Sequence, residues 1–129
     1  MSVYDLFKLD GKTAIVTGGG RGLGAQIAEA YAEAGANLVI CSRKLEACEE
    51  VAEKLRDKGA KAIALGCDVT VEEDVKRVVE ETVNQFGGID ILVNNSGASW
   101  GATVEEMPLE AWNKVMNVNV TGTFLMSRE

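Results

Sequence analysis

Five glycines fall within seven positions of Thr17-Gly18-Gly19-Gly20-Arg21-Gly22-Leu23-Gly24, directly after the apolar stretch Ala14-Ile15-Val16 and at the head of a helical pattern. A chain turning this sharply from strand into helix leaves backbone N–H groups pointing outward at a helix N-terminus. That end carries partial positive charge, and glycines let an anion come close to the backbone. The chemistry on offer is recognition of a pyrophosphate. Gly20, Gly22 and Ala25 satisfy G-x-G-x-x-A, whereas a turn opening at Gly18 reads T-G-x-x-x-G-x-G. A strand ending at Thr17 favours the second pattern. A glycine turn can be purely structural, but the strand before it and the helix after it favour a dinucleotide cofactor.

The second group with chemical potential lies eighteen residues after Gly24, at Ser42-Arg43-Lys44. An acidic residue at this place, the end of a second strand, would accept hydrogen bonds from the ribose 2′-hydroxyl of NAD and repel a 2′-phosphate. Ser42 and Arg43 do the opposite, and Arg21 in the glycine loop adds a second guanidinium. A guanidinium grips phosphate through paired, charge-assisted hydrogen bonds. NADP is therefore expected over NAD. The plainer alternative is that Arg43 and Lys44 only begin a solvated helix.

These groups need a scaffold, and strand and helix patterns alternate throughout. Strands are expected at Thr13 to Thr17, Asn37 to Cys41, Lys61 to Leu65 and Ile89 to Val93. Helices are expected from Gly22 to about Ala34, from Lys44 to Lys58, and to about Phe86, with Gly35, Gly59 and Gly87-Gly88 as stops. Thr70 and Glu73 form a capping-box pattern before the third helix, and Pro108 suits the first turn of a last one. Such alternation implies an α/β fold, a Rossmann-type doubly wound parallel sheet in the order 3-2-1-4. Ligands in such sheets bind outside the carboxyl ends of the strands, where the order reverses. The glycine run and Asn94-Asn95-Ser96-Gly97 should therefore flank one crevice.

Composition narrows the function class. The chain has 129 residues, 47% hydrophobic and 26% charged, and a net charge of −7. That balance fits one globular domain and argues against nucleic acid as a partner. No apolar run approaches membrane-spanning length, and the N-terminus has no signal-peptide character. The three cysteines, Cys41, Cys48 and Cys67, have no metal-like spacing, and histidine is absent. Reduced thiols in a cytoplasmic protein are the expectation, with no metal site.

With these motifs in order, the chain resembles the short-chain dehydrogenase/reductase family along its whole length. Thr17-Gly18, Gly22 and Gly24 match the family's cofactor motif, and Cys67-Asp68-Val69 looks like its adenine-contacting turn. Asn94-Asn95-Ser96-Gly97 resembles its N-N-A-G motif with Ser96 replacing alanine, and Val118-Asn119-Val120 with Gly122 and Phe124 is similar to the segment holding its catalytic asparagine. The resemblance implies cofactor contacts from Thr17, Gly18, Gly20, Arg21, Gly22, Leu23 and Gly24 in the first loop. It implies further contacts from Ser42 and Arg43, from Asp68 and Val69, and from Asn95 and Gly97. Asn94 is expected to tie neighbouring strands together. Asp68 could equally be a helix N-terminal carboxylate favoured by the dipole. Asn119 is the catalytic candidate, against the alternative of a core asparagine satisfied by backbone. Trp112 is expected in a buried stripe with Val115, Met116 and Val120, while Trp100 could be wall or loop.

The family transfers hydride with a tyrosine as acid/base, a lysine one helical turn away, a serine and an asparagine. Of that set only Asn119 is matched. Tyr4 and Lys8 have the right spacing but precede the first strand, so their order is wrong. The expectation is thus the cofactor-binding half of an NADP-dependent ketone/secondary-alcohol oxidoreductase, running as one domain over 1–129 and truncated before the Ser and Tyr-x-x-x-Lys segment. Homology of this kind implies a small carbonyl or alcohol substrate and a homo-oligomer at full length, with bacterial 3-oxoacyl-carrier-protein reductase-like and sugar-acid dehydrogenase members as the nearest in character. The alternatives are a stand-alone NADP-binding module and an inactive truncation.

Overall fold

The computed structural model describes residues 1–129 as one four-stranded parallel sheet with helices on both faces. Strands β1 (Thr13–Thr17), β2 (Asn37–Ser42), β3 (Ala62–Gly66) and β4 (Ile91–Val93) lie in the order β3-β2-β1-β4. Val16 pairs in register with Ile40 on one side and Val93 on the other. The reversal of order beside β1 is the expected one.

The continuous apolar runs of β1 and β2 follow from burial on both faces, since parallel strands are covered by their own crossover helices. Side chains alternate between two cores. Ala14, Val16, Leu38 and Ile40 meet Ala28 of α1 (Gly22–Glu33) and Cys48, Ala52 and Leu55 of α2 (Leu45–Asp57). Ile15, Val39 and Cys41 meet Val75 and Val78 of α3 (Glu72–Phe86) and Leu125 and Met126 of α5 (Gly122–Arg128). Gly35, Gly59 and Gly87 follow α1, α2 and α3 with φ of +102°, +94° and +88°, left-handed exits that an L side chain would strain.

Three local expectations are corrected. The capping box at Thr70 and Glu73 does not form. The N-cap of α3 is Val71 and makes no side-chain cap bond. Thr70 instead donates its hydroxyl (2.7 Å) and its N–H (2.9 Å) to Asp68 Oδ1. The Asp68 carboxylate captures both Thr70 donors, so the hydroxyl is directed to it as a donor and is not turned to accept a backbone N–H of the first turn. Strand β4 begins at Ile91 rather than Ile89, and just ahead of it the Asp90 carboxylate accepts the Thr13 N–H at 2.9 Å. Pro108 is the N-cap of α4 (Leu109–Met116), one residue outside the helix.

The last helix is interrupted. Between α4 and α5, residues Asn117–Thr121 form a π turn with no break in helical backbone angles. Asn119 Nδ2 donates to the Val115 carbonyl (2.8 Å) and also to the Ala98 carbonyl (2.7 Å). A side-chain amide inserted into the ladder, pulled toward another loop, accounts for the local widening.

Candidate functional site

The cleft lies at the carboxyl ends of the four strands, with a volume of about 380 Å³. The first wall is the glycine loop between β1 and α1. Gly18 donates its N–H to the Cys41 carbonyl of β2 at 2.8 Å, while its own carbonyl accepts from Asn95 Nδ2 at 3.1 Å. Gly20, Arg21, Gly22, Leu23 and Gly24 follow along the same wall. A Cβ on Gly22 would meet nothing within 4 Å, so that space is open to a ligand. None of the helices α1 to α4 has a side-chain cap; the first turns of α2, α3 and α4 carry Glu46, Glu72-Glu73-Asp74 and Glu110, whereas that of α1 carries no acid. An anion at α1 would complete the pattern. The donor set and the open space fit a dinucleotide's pyrophosphate.

Thr17 does not line this cleft. It is 1% exposed, and its Oγ1 accepts the N–H groups of Asn95 and Ser96, each at 3.0 Å, while donating to the Val93 carbonyl at 3.3 Å. Its hydroxyl therefore locks the β4 loop onto the end of β1. The expected role of Asn94 also moves. Asn94 is exposed and reaches Ser127 Oγ of α5 at 3.3 Å, whereas Asn95 makes the inter-strand tie. Successive residues leaving a strand point to opposite sides, so one of the two asparagines faces the loop and the other faces away.

The second wall is the turn after β2. Ser42 Oγ accepts the Lys44 N–H at 3.1 Å and lies 3.2 Å from Cys48 Sγ. Arg43 and Lys44 line the cleft beside it. Neither these two nor Arg21 enters an ion pair, while Lys8, Arg56, Lys58, Lys76, Arg77 and Arg128 all do. Three of the chain's unpaired cations, Arg21, Arg43 and Lys44, thus stand on this rim although the net charge is −7.

The third wall is Cys67, Asp68 and Val69, after β3. The Thr70 hydroxyl holds the Asp68 carboxyl below its ordinary value of 3.8, against the upward push of partial burial, with the Thr70 N–H and the Arg43 charge adding to the lowering. Asp68 is therefore an acceptor at neutral pH; it lines the cleft and lies ahead of α3, whose N-cap is Val71. A depressed folded-state value contributes stability that is complete above the unfolded value and disappears as pH falls through the folded one. Asp68→Asn should accordingly lower the urea midpoint at pH 7, and the deficit should shrink as pH falls below the ordinary carboxylate range. A deficit that does not change with pH would show that the charge on Asp68 contributes nothing.

The fourth wall is Asn95, Ser96, Gly97 and Ala98 together with Val118. Lys44, Ser96 and Val118 stand inside the sequence motifs without an expected cofactor contact, and Ala98 lies one residue past its motif; all four line the cleft, as does Ala47. Asn119 sits behind this wall: its amide nitrogen holds Ala98, and a Cβ on Gly97 would come within 2.9 Å of its Oδ1. The amide is satisfied by backbone as in the plainer alternative, although Asn119 is exposed and not part of the core. Its own carbonyl accepts the Thr123 hydroxyl at 2.9 Å.

Other candidates separate from the cleft. Tyr4 lies exposed in a 3-10 turn, Val3–Phe7, and Lys8 pairs with Asp5 at 3.2 Å. The three cysteines are buried and free, Cys67 alone of them lining the cleft, and no cluster of three or more potential ligands could hold a metal. No helix is long and apolar enough to cross a membrane. Trp112 is 54% exposed, contrary to the expected buried stripe, along with Leu109, Met116, Val120 and Phe124. These side chains share a helix face that points away from the sheet, so their periodicity marks an apolar surface and not the core. Trp100 is also exposed, in its loop.

Comparison with known proteins agrees with this architecture. A profile of the family described as short chain dehydrogenase matches residues 12–129. The chain is 44% identical over 120 residues to an uncharacterized oxidoreductase of Thermotoga maritima, covering 93% of this chain and 47% of that protein. It is 42% identical to the rhamnolipids biosynthesis 3-oxoacyl-[acyl-carrier-protein] reductase of Pseudomonas aeruginosa, with 95% and 47% covered. A crystal structure of a short-chain type dehydrogenase/reductase from Mycobacterium marinum superposes with a TM-score of 0.95 at 40% identity, over 98% of this chain and 50% of that one. The chain therefore spans about half the length of the relatives it matches. On fold, motif order and sequence together, it belongs to the short chain dehydrogenase family of NAD(P)-dependent oxidoreductases.

Proposed function

We propose that these residues form the NADP-binding half of an oxidoreductase that interconverts a ketone and a secondary alcohol. The observation that carries the reading is the convergence of an acid-free helix N-terminus and unpaired Arg21, Arg43 and Lys44 on one cleft. The glycine loop holds the pyrophosphate through backbone N–H groups, with Gly18, Gly20, Gly22, Leu23 and Gly24 shaping the approach. Arg43 and Ser42 take the 2′-phosphate, Arg21 adds charge, Asp68 and Val69 receive the adenine, and Asn95 and Gly97 line the nicotinamide side. The cofactor, once bound, supplies or accepts the hydride.

Asn119 belongs to the catalytic end, where the family resemblance gives its segment a part in the proton relay. Its carboxamide anchors the Ala98 loop, so the asparagine fixes the fourth wall's position relative to α4. The serine and the Tyr-x-x-x-Lys pair of that relay have no counterpart within residues 1–129 and belong, in this reading, to the remainder of a longer protein located in the cytoplasm. The exposed face of Trp112, Met116, Val120 and Phe124 suits burial against another subunit, in keeping with a homo-oligomer.

The test of cofactor choice is Arg43→Ala. Losing a guanidinium–phosphate contact of about 2–3 kcal/mol should weaken NADPH roughly 30- to 150-fold while moving NADH less than threefold. Fluorescence titration of both cofactors measures it, and equal losses for the two would reject NADP as the preferred partner.

A further inference from the structure

Cys48 is fully buried in α2, yet its sulfur touches both cofactor-facing walls. Cys48 Sγ lies 3.2 Å from Ser42 Oγ, and a Cβ built on Gly20 would meet the same sulfur at 3.2 Å and the Cys48 nitrogen at 3.1 Å. The thiol is thus wedged between the glycine loop and the turn that presents Arg43.

The hydrogen-bond capacity of Ser42 makes this contact consequential. A hydroxyl has one proton to give and two lone pairs to fill. One lone pair takes the Lys44 N–H at 3.1 Å. If the Cys48 thiol donates into the second, the hydroxyl proton is directed outward, where it now meets the Lys44 carbonyl at 3.2 Å. Burial raises the Cys48 thiol above its ordinary value, so it stays protonated and able to donate. A phosphate oxygen is a stronger acceptor than a peptide carbonyl and would take that proton over.

We propose that Cys48 is a positioning residue for recognition of the 2′-phosphate: its thiol orients the Ser42 hydroxyl as a donor and braces the Arg43 turn against Gly20. The inference rests on the NADP reading above. It concerns a side chain that does not itself meet the ligand.

The test uses the protein at its natural full length, with Cys48→Ala, Cys48→Val and Cys48→Ser titrated against NADPH and NADH. Loss of one oriented hydrogen bond should weaken NADPH about fivefold in the Ala and Val variants while NADH stays within twofold. Cys48→Ser keeps a donor and should restore NADPH binding to near the parent value. The valine variant fills the space without a donor, so it reads the same effect should alanine loosen the core. Unchanged NADPH binding in both apolar variants, or equal losses for the two cofactors, would overturn the role. Arg43→Ala separates the two levels: indifference there fails the NADP reading itself, whereas selectivity there with none at Cys48 fails this inference alone.

Discussion

Gly24→Ala should weaken cofactor binding roughly a hundredfold and lower stability by about 3 kcal/mol, the upper range for overpacking a closely fitted site. A Cβ at this position would collide with the Gly18 carbonyl oxygen and the Asn95 amide nitrogen. Neither can yield. The Gly18 peptide is held from the other side by its N–H bond to Cys41, and the Asn95 amide is the partner of the same carbonyl. The methyl group therefore pushes the glycine loop off the end of the sheet, and a bound pyrophosphate would have to push it back. About 3 kcal/mol spent that way is roughly a hundredfold in Kd.

Gly22→Ala is the control that separates space from loop packing. Gly22 has φ of +54° and nothing within 4 Å of its missing Cβ. Alanine there should cost only about 1 kcal/mol for the left-handed backbone, with the fold kept, yet still obstruct the ligand's approach. Urea midpoints and NADPH titrations of the two variants make the comparison. A Gly24→Ala protein as stable as the parent would show that the loop is free to move, contrary to the packing described.

Thr17→Val should cost about 2 kcal/mol, although the two side chains are nearly the same shape. The hydroxyl is the sole partner of the Ser96 N–H and a second partner of the Asn95 N–H, which also meets the Val93 carbonyl at 3.1 Å. Removing it leaves a part-buried donor unsatisfied, which costs about 1–3 kcal/mol. The loop carrying Asn95, Ser96 and Gly97 should then fray from β1, with faster amide exchange at Ser96 as its direct signature. Thr17→Ser keeps the hydroxyl and should retain most of the stability, losing only the buried methyl. Should Thr17→Ser fall as far as Thr17→Val, the methyl and not the hydrogen bonds would be the anchor.

Both results turn on residues that a motif reading assigns to the ligand. Gly24 and Thr17 sit inside the cofactor pattern, but their strongest observed contacts are with the protein. Cofactor loops must be rigid before they can be selective, because a loop that orders on binding spends affinity on its own ordering. The cost of mutating such positions is therefore felt first in stability and only then in Kd. Arg43 is the contrasting case: exposed and without an ion pair, it can be removed at little structural cost.

The sequence by itself determined the order of elements, the parallel sheet and the meeting of the loops after β1 and β4. These follow from short-range causes: apolar runs buried on both faces, helical periodicity, and glycines at Gly35, Gly59 and Gly87 where the chain must turn left-handed. It also supplied twelve of the eighteen residues that line the cleft, because ends of parallel strands converge whatever their side chains. Tertiary structure alone decided which of those residues face outward. The bonds from Thr17 to Asn95 and Ser96 join positions 78 and 79 residues apart, and no local pattern encodes them. The same holds for Asn119, whose reach to Ala98 across 21 residues accompanies the π turn, and for Asp68, which takes Thr70 away from its expected cap. The exposed face of Trp112 and Met116 is the remaining case. Its periodicity is that of a buried stripe, and only the packing of α5 on α3 fixes which side of the helix meets the sheet.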